Sequence, residues 1–214
     1  YDGTSWTETG NLAAVVTSHG GDGLGTTKSW LAVGGATDPG NTNLSTTQEF
    51  NITVNTVTAA AWASGGNMNT ARRAMSGGAG TATAGMVAGG YISSNSNATE
   101  EYDGSAWANG GNLPAAKYYI SIAGTQTAGL AIGGGDPVVA EGVEYNGSSW
   151  TDIGNAPESR KMMGRSGLQT AALFAGGNDG PNAASSEAFT YDGSSFANIT
   201  DLPSNRGAGH VSGG

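Results

Sequence analysis

The chain has 214 residues and a net charge of −9, with 38 glycines, no cysteine and only 12% charged residues. A chain of this length can bury a hydrophobic core. The lack of cysteine excludes disulfides, thiolate metal sites and cysteine nucleophiles. The sequence shows no basic stripe that could neutralise phosphates and no apolar run near the ~18 residues that span a bilayer, so neither nucleic-acid binding nor membrane insertion is expected.

One motif recurs along the whole chain. The segment Tyr-Asp-Gly-x-x-Trp opens the sequence and returns in variant forms, and each copy ends on an aromatic anchor. The anchors are Trp6, Trp62, Trp107, Trp150 and Phe196. Gly-Gly doublets keep the same interval of roughly 45 residues, at Gly34–Gly35, Gly89–Gly90, Gly133–Gly134 and Gly176–Gly177. A period of this length is typical of a repeat architecture.

Each repeat predicts four short strands. In the third repeat, a glycine-rich first strand at 120–124 leads through a tight turn to a second strand at 128–134, which ends in the doublet. Asp-Gly or Asn-Gly between a run that ends in Tyr and a Ser-x-Trp run predicts a type I′ hairpin, which joins the third and fourth strands. Four antiparallel strands per repeat indicate an all-β fold, a β-propeller of four-stranded blades. A β-solenoid is the alternative, because chains rich in Gly, Ala, Thr and Asn can also stack in that way.

The repeat also sets the predicted boundaries. We expect a single repeat domain over 1–214, and its four complete blades and two partial-blade strands are predicted at 13–65, 74–110, 119–153 and 163–199, and at 1–10 and 206–214. The chain would then begin with an outermost strand and end with an innermost one. These two strands are not neighbours within a blade, so the sequence predicts a segment of a longer chain or one that another subunit completes.

The repeat resembles that of a known family. A Gly-Gly doublet, then a Tyr, and a Trp about five residues later resemble the kelch repeat. The stretch Glu100–Gly134 is similar to repeats in virion structural proteins of marine bacteriophages. The likeness covers almost the whole chain, although Phe50–Trp62 departs from it and the last unit stops early. It implies a propeller and an extracellular or virion location, but propellers host enzymes, adhesins and scaffolds alike.

A basic residue follows four of the five anchors at an interval of ten residues. These residues are Arg72, Lys117, Arg160 and Arg206. They could form a ring that binds anionic sugars or the carboxylates of a partner. Alternatively, they pair with an acidic residue of each blade, and the candidates are Glu49, Glu101, Glu144 and Glu187. The structural interpretation is favoured because the positions repeat with the architecture.

Loop lengths predict where a ligand would bind. The loops between second and third strands are long and variable, at 36–46, 91–98, 135–140 and 178–185. In a four-stranded meander these loops share one face with the connections between blades, which carry the basic residues. The opposite face has only tight turns. We therefore expect a binding site on the long-loop face.

Candidate catalytic and metal-binding residues are few. The two histidines, His19 and His210, have no metal-ligand spacing, and no Gly-x-Ser-x-Gly motif with a matching base is present. The repeated Asp2, Asp103, Asn146 and Asp192 occupy predicted hairpin turns, so we interpret them as turn residues rather than calcium ligands. The sequence thus predicts no catalytic residue, no metal and no cofactor.

These features together predict a non-enzymatic structural or adhesive module of an extracellular or virion assembly, such as a phage tail, fibre or surface filament. Its expected partners are other subunits of the assembly, so we expect an oligomer, and glycans on a host surface. A carbohydrate-binding or carbohydrate-active propeller is the first alternative. A kelch-type protein-interaction module is the second.

Overall fold

The computed structural model describes residues 16–17, 20–21, 29–37, 42–51, 61–180 and 183–207. Every regular element in these residues is a β-strand, which confirms the predicted all-β class. None of them forms a helix that is long and apolar enough to cross a membrane. The anchor Trp6, the two histidines and the predicted strand at 1–10 lie outside the described residues, as does the predicted strand at 206–214 beyond residue 207.

The strands form a series of antiparallel meanders. In chain order they are β1 (Val16–Thr17), β2 (Gly20–Gly21), β3 (Ser29–Val33), β4 (Ala36–Thr37), β5 (Thr47–Asn51), β6 (Ala61–Ser64), β7 (Ala79–Thr81), β8 (Ala84–Ala88), β9 (Thr99–Tyr102), β10 (Trp107–Asn109), β11 (Ser121–Thr125), β12 (Ala128–Ile132), β13 (Glu141–Tyr145), β14 (Trp150–Asn155), β15 (Gly164–Leu168), β16 (Ala171–Ala175), β17 (Ala188–Tyr191) and β18 (Phe196–Asn198). Four sheets of four strands result: the first is β2-β3-β5-β6, the second β7 to β10, the third β11 to β14 and the fourth β15 to β18. The short strands β1 and β4 pair separately.

The hairpin between the third and fourth strands differs from the predicted type I′ turn. In the third sheet, Tyr145 pairs with Trp150 and four residues form the loop. Gly147 has a positive φ of 88°, whereas Asn146 does not lie in that region. Instead, the Asn146 side-chain oxygen accepts hydrogen bonds from the backbone N–H groups of Ser148 and Ser149, at 3.0 and 2.9 Å. The type I′ prediction is therefore wrong, because the side chain rather than the backbone angle at this position closes the turn.

The corresponding hairpins of the second and fourth sheets use the same device. Asp103 accepts hydrogen bonds from Ser105 and Ala106, and Asp192 accepts from Ser194 and Ser195. Hydrogen bonds from Ser194 and Ser195 lower the pKa of the Asp192 carboxyl to about 2. The repeated Asp or Asn thus has a structural task within the turn, in agreement with its interpretation as a turn residue.

The hydrophobic core lies between successive sheets. Met86 of the second sheet packs with Ile122 and Val143 of the third in one buried cluster. Phe174 of the fourth sheet belongs to a second cluster, which Leu130 of the third sheet joins. The first strands β7, β11 and β15 lie next to one another. The facing sides of successive sheets therefore bury their side chains against one another.

Tyrosine hydroxyls link successive sheets at the same position of each repeat. The third strand of each sheet carries an aromatic residue at its end or one residue before it, and where this is a tyrosine its hydroxyl donates to a glutamate of the preceding sheet. The pairs are Tyr102 with Glu49, Tyr145 with Glu101 at 2.5 Å, and Tyr191 with Glu144 at 2.9 Å. Each glutamate directly precedes the aromatic residue of its own strand.

The aromatic anchors add a second link. The indole N–H of Trp107 donates to the Thr47 hydroxyl at 2.8 Å, and that of Trp150 donates to the Thr99 hydroxyl at 2.9 Å. The threonines lie three residues before the aromatic end of the third strand. In the third sheet that position is Gly142, and a Cβ there would lie 3.1 Å from the ring of Phe196. Phe196 has no indole N–H to donate, and Gly142 has no hydroxyl to accept, so donor and acceptor are absent together. The side chain of Trp62 lies outside the described part.

We expect the tyrosines that link the sheets to lose their protons at a higher pH than free tyrosine does. Burial and the hydrogen bonds to Glu49 and Glu144 raise the pKa of Tyr102 and of Tyr191 to about 12, against about 10 in an unfolded chain. Because the folded-state pKa is the higher one, the stabilisation is complete below pH 10 and is lost as the pH rises from about 10 to about 12.

Phenolate absorbance recorded against pH measures this titration, and urea unfolding across the same range measures the loss of stability. Replacing Tyr191 with phenylalanine should remove part of the late transition and leave the rest. A single transition of all tyrosines near pH 10, as in the unfolded chain, would contradict the prediction.

Candidate functional site

The long loops and the connections between sheets meet at one end of the sheets. The backbone N–H of Lys117 donates to Ser96 in a long loop at 2.9 Å, and that of Arg160 donates to Val139 in the next at 3.2 Å. The N–H of Arg206 donates to Ser185 at 2.7 Å. The opposite end carries two-residue turns such as Gln126-Thr127 and the four-residue hairpin loops. The predicted grouping of basic positions and long loops on one face is therefore present.

Three of the predicted basic residues form ion pairs with carboxylates of the following sheet. The pairs are Arg72 with Glu100, Lys117 with Glu141 at 2.5 Å, and Arg160 with Glu187. All three basic residues are buried. Arg206 is exposed, and its backbone carbonyl accepts a hydrogen bond from Gly177 at 2.7 Å.

The carboxylate partners differ from the predicted set in two of the three pairs. Glu187 was a predicted partner, whereas Glu100 and Glu141 were not. Glu101 directly follows Glu100 on β9, and successive strand residues point to opposite faces. Glu100 therefore faces the preceding connection and Arg72, whereas Glu101 faces the third sheet and accepts from Tyr145. Strand alternation thus decides which of these two glutamates meets Arg72.

Arg72 is held by both of its terminal nitrogens, whereas its buried Nε has no hydrogen-bond partner. Its Nη1 donates to the carbonyls of Gly89 and Ala98, both at 2.9 Å, and its Nη2 donates to Glu100. Glu100 also accepts from the backbone N–H groups of Asn69 at 2.6 Å and Thr70 at 3.2 Å. Neither side chain of the pair is exposed. Arg72 thus ties the connection after the first sheet to the second sheet and is covered from solvent.

A concave pocket of about 390 Å³ lies beside these ion pairs, on the long-loop face between the second and third sheets. Its polar and aromatic lining consists of Arg73, Tyr91, Asn95, Tyr118, Tyr119 and Asp136. Tyr91 and Asn95 come from the long loop of the second sheet, and Asp136 comes from that of the third. The other three belong to connections between sheets. Two loops and two connections thus form one site.

The tyrosines of the pocket contact one another. The rings of Tyr91 and Tyr118 lie edge to face with centroids 6.3 Å apart, and those of Tyr118 and Tyr119 are 4.8 Å apart. The Arg73 guanidinium lies 5.0 Å from the centroid of Tyr91, and the Lys161 ammonium lies 5.9 Å from that of Tyr118. Burial, followed by the charge of Asp136 and a hydrogen bond to it, raises the pKa of Tyr118.

Backbone hydrogen bonds fix the connection that carries two of these tyrosines. Tyr119 has a φ of 56°, in the left-handed region, as have its repeat equivalents Ala74 at 57° and Met162 at 60°. The N–H of Tyr119 donates to Ala74 at 2.8 Å, and the N–H of Met162 donates to Tyr119 at 3.0 Å. The unusual angle therefore belongs to the architecture, because three connections share it and are joined through it.

The aromatic side chains, in contrast, are not part of the repeat. The residue after each doublet is Tyr91 in the second unit but Gly135 and Asn178 in the next two. The residue after the basic position is Tyr118 in one unit, and its equivalents are Arg73 and Lys161. A search restricted to recurring positions misses this pocket. The signal that could have found it is the departure from the repeat.

The described residues contain no group of three or more His, Asp or Glu side chains that could hold a metal ion. No model of a known protein family matches the chain. The comparison with curated proteins also gives no match. Neither finding links the chain to kelch repeats or to phage proteins.

Proposed function

We propose that the chain is a kelch-like β-propeller that serves as a non-enzymatic adhesive module of an extracellular or virion assembly. In this proposal the four sheets are blades and β7, β11 and β15 are innermost strands. Two observations support the propeller: each sheet is an antiparallel meander in sequence order, and first strands lie next to one another. A solenoid of parallel rungs is less well supported, because the described strand pairs are antiparallel.

The adhesive role rests on one observation, the tyrosine-lined pocket on the long-loop face. Concave sites with aromatic walls and a few polar groups are the usual form of a ligand site. The scaffold beneath it is held by ion pairs, tyrosine–glutamate bonds and tryptophan–threonine bonds at repeated positions. A rigid scaffold that presents variable loops suits recognition, since little conformational entropy is lost on binding. Host-surface glycans and neighbouring subunits are the proposed partners.

A binding survey tests this function. The purified protein, labelled on its amino terminus, is applied to a glycan microarray and to immobilised bacterial surface polysaccharides, and its oligomeric state is measured by light scattering. We expect binding to at least one class of glycan, and no binding by the heat-unfolded protein. Bacterial cells are applied in the same survey, and failure to bind any glycan, polysaccharide or cell surface would overturn the proposal whatever the oligomeric state.

A further inference from the structure

We propose that the pocket formed by Arg73, Tyr91, Tyr118, Tyr119 and Asp136 binds a neutral saccharide. This inference rests on the proposed adhesive function and assigns its ligand class and its site. The pocket volume of about 390 Å³ is within the range of small-molecule sites. It accommodates one or two sugar rings and leaves the remainder of a longer glycan in solvent.

Three tyrosines give the pocket the aromatic surface that a sugar ring can pack against. A tyrosine offers an apolar ring face and a polar hydroxyl, so it can contact both the C–H groups and the hydroxyl groups of a sugar. Tyr91, Tyr118 and Tyr119 stand where the other described units carry glycine, asparagine, arginine, lysine, alanine, or methionine. The fold does not require an aromatic residue at these positions. Three tyrosines converge on this pocket for a reason other than blade architecture.

Three polar side chains of the lining, Arg73, Asn95 and Asp136, can bond to sugar hydroxyls. Arg73 supplies only donors, Asp136 supplies acceptors when ionised, and Asn95 supplies both. Arg73 already donates to Asn43 at 3.4 Å, and Asp136 has a hydrogen bond with Tyr118. A sugar hydroxyl donates one hydrogen bond and accepts others, so neighbouring hydroxyls can bond to all three side chains in addition to these partners.

Within the lining the charge of Arg73 offsets that of Asp136, and the Lys161 ammonium lies outside the lining, 5.9 Å from the ring centroid of Tyr118. This balance favours a neutral ligand over an acidic sugar, which would bring its carboxylate towards Asp136.

A cationic ligand is the main competitor, because aromatic residues beside a carboxylate can also enclose a quaternary ammonium group. Here the chain already places its own cations on the rings. Arg73 lies over Tyr91 at 5.0 Å, and Lys161 lies over Tyr118 at 5.9 Å. A further positive charge would be repelled by both. The arrangement therefore favours the saccharide.

Isothermal titration tests the site. The folded protein is titrated with maltotriose, cellotriose, chitotriose and mannotriose, and in separate runs with choline and with trigalacturonate. We expect at least one neutral trisaccharide to bind, and choline and trigalacturonate not to bind. Failure of all four neutral sugars, or preferential binding of choline or trigalacturonate, would overturn the inference.

Variants then locate the site. Tyr118→Ala should weaken binding about tenfold, and Tyr118→Phe, which keeps the ring, by about threefold or less. Asp136→Asn should also weaken binding about tenfold, because it removes a charged acceptor. The matched control is Asp179→Asn, since Asp179 occupies the equivalent position in the fourth sheet, outside the pocket, and should bind as the unaltered protein does.

The outcomes separate the two proposals. If no glycan, polysaccharide or cell is bound at all, the adhesive function fails and this inference fails with it. If a saccharide binds but Tyr118→Ala and Asp136→Asn bind it unchanged, the adhesive function stands and this inference is overturned. Circular dichroism of each variant checks that it is folded, and Asp136→Asn, which preserves the shape of the side chain, tests the site even if Tyr118→Ala fails to fold.

Discussion

Replacing Arg72 with alanine is expected to lower the free energy of unfolding by about 3–5 kcal/mol. The substitution leaves the Glu100 carboxylate buried without a counter-charge, and both side chains of the pair are wholly covered. It also removes two hydrogen bonds to the carbonyls of Gly89 and Ala98. Equilibrium unfolding in urea, followed by tryptophan fluorescence, measures the loss.

Two further variants test the cause. The double substitution Arg72→Met with Glu100→Leu removes both charges and should recover part of the stability. Recovery stays incomplete because the backbone N–H groups of Asn69 and Thr70 lose their acceptor. Lys117→Ala should cost less than Arg72→Ala, since its partner Glu141 keeps 26% of its side chain exposed. Equal losses for Lys117→Ala and Arg72→Ala would contradict the role given to burial.

Gly133→Ala is expected to destabilise the fold by about 3 kcal/mol or more. Gly133 has a φ of 71°, and a Cβ there would lie 2.0 Å from the carbonyl oxygen of Arg160. The connection cannot withdraw easily, because Gly134 donates to that same carbonyl at 2.8 Å. The cost therefore combines backbone strain with a steric overlap. Urea unfolding of the variant measures it.

Gly154→Ala is the matched control for this substitution. Gly154 has a similar φ of 87°, but nothing lies within 4 Å of a Cβ placed on it. Gly154→Ala should therefore lower the free energy of unfolding only through the strain of an alanine at positive φ, by about 1–2 kcal/mol. Losses of the same size at both positions would mean that the close approach of Arg160 is unimportant.

The repeat predicts the sheets well, because two motifs mark the strand ends in each unit. The glycine doublet follows the second strand, and the Tyr-Asp-Gly-x-x-Trp motif joins the third and fourth strands. The register of Tyr145 with Trp150 does not follow from this motif, because a two-residue type I′ turn at Asn146-Gly147 would pair Tyr145 with Ser148.

The carboxylate partners of the basic residues cannot be assigned from the repeat. Glu100 and Glu101 are neighbours in sequence, and which of them meets Arg72 depends on the face that each presents.

The pocket could not be predicted, for a different physical reason. Tyr91 and Asp136 lie in loops of different sheets, about one repeat apart in sequence. Their proximity exists only after neighbouring sheets have packed and the connections have bonded to the loop ends. Composition and spacing report what recurs, whereas this site depends on residues that occur once.

The pairing of Trp with Thr and of Phe with Gly has a consequence for how such a chain can change during evolution. The third unit contacts the preceding unit through Trp150 and Thr99, and the fourth unit contacts the preceding unit through Phe196 and Gly142. An exchange of the third and fourth units would place the indole N–H of Trp150 against Ala188, which has no side-chain acceptor, and the hydroxyl of Thr99 against Phe196. The units are similar in sequence yet not interchangeable, so duplication or recombination of one unit would require a compensating change in its neighbour.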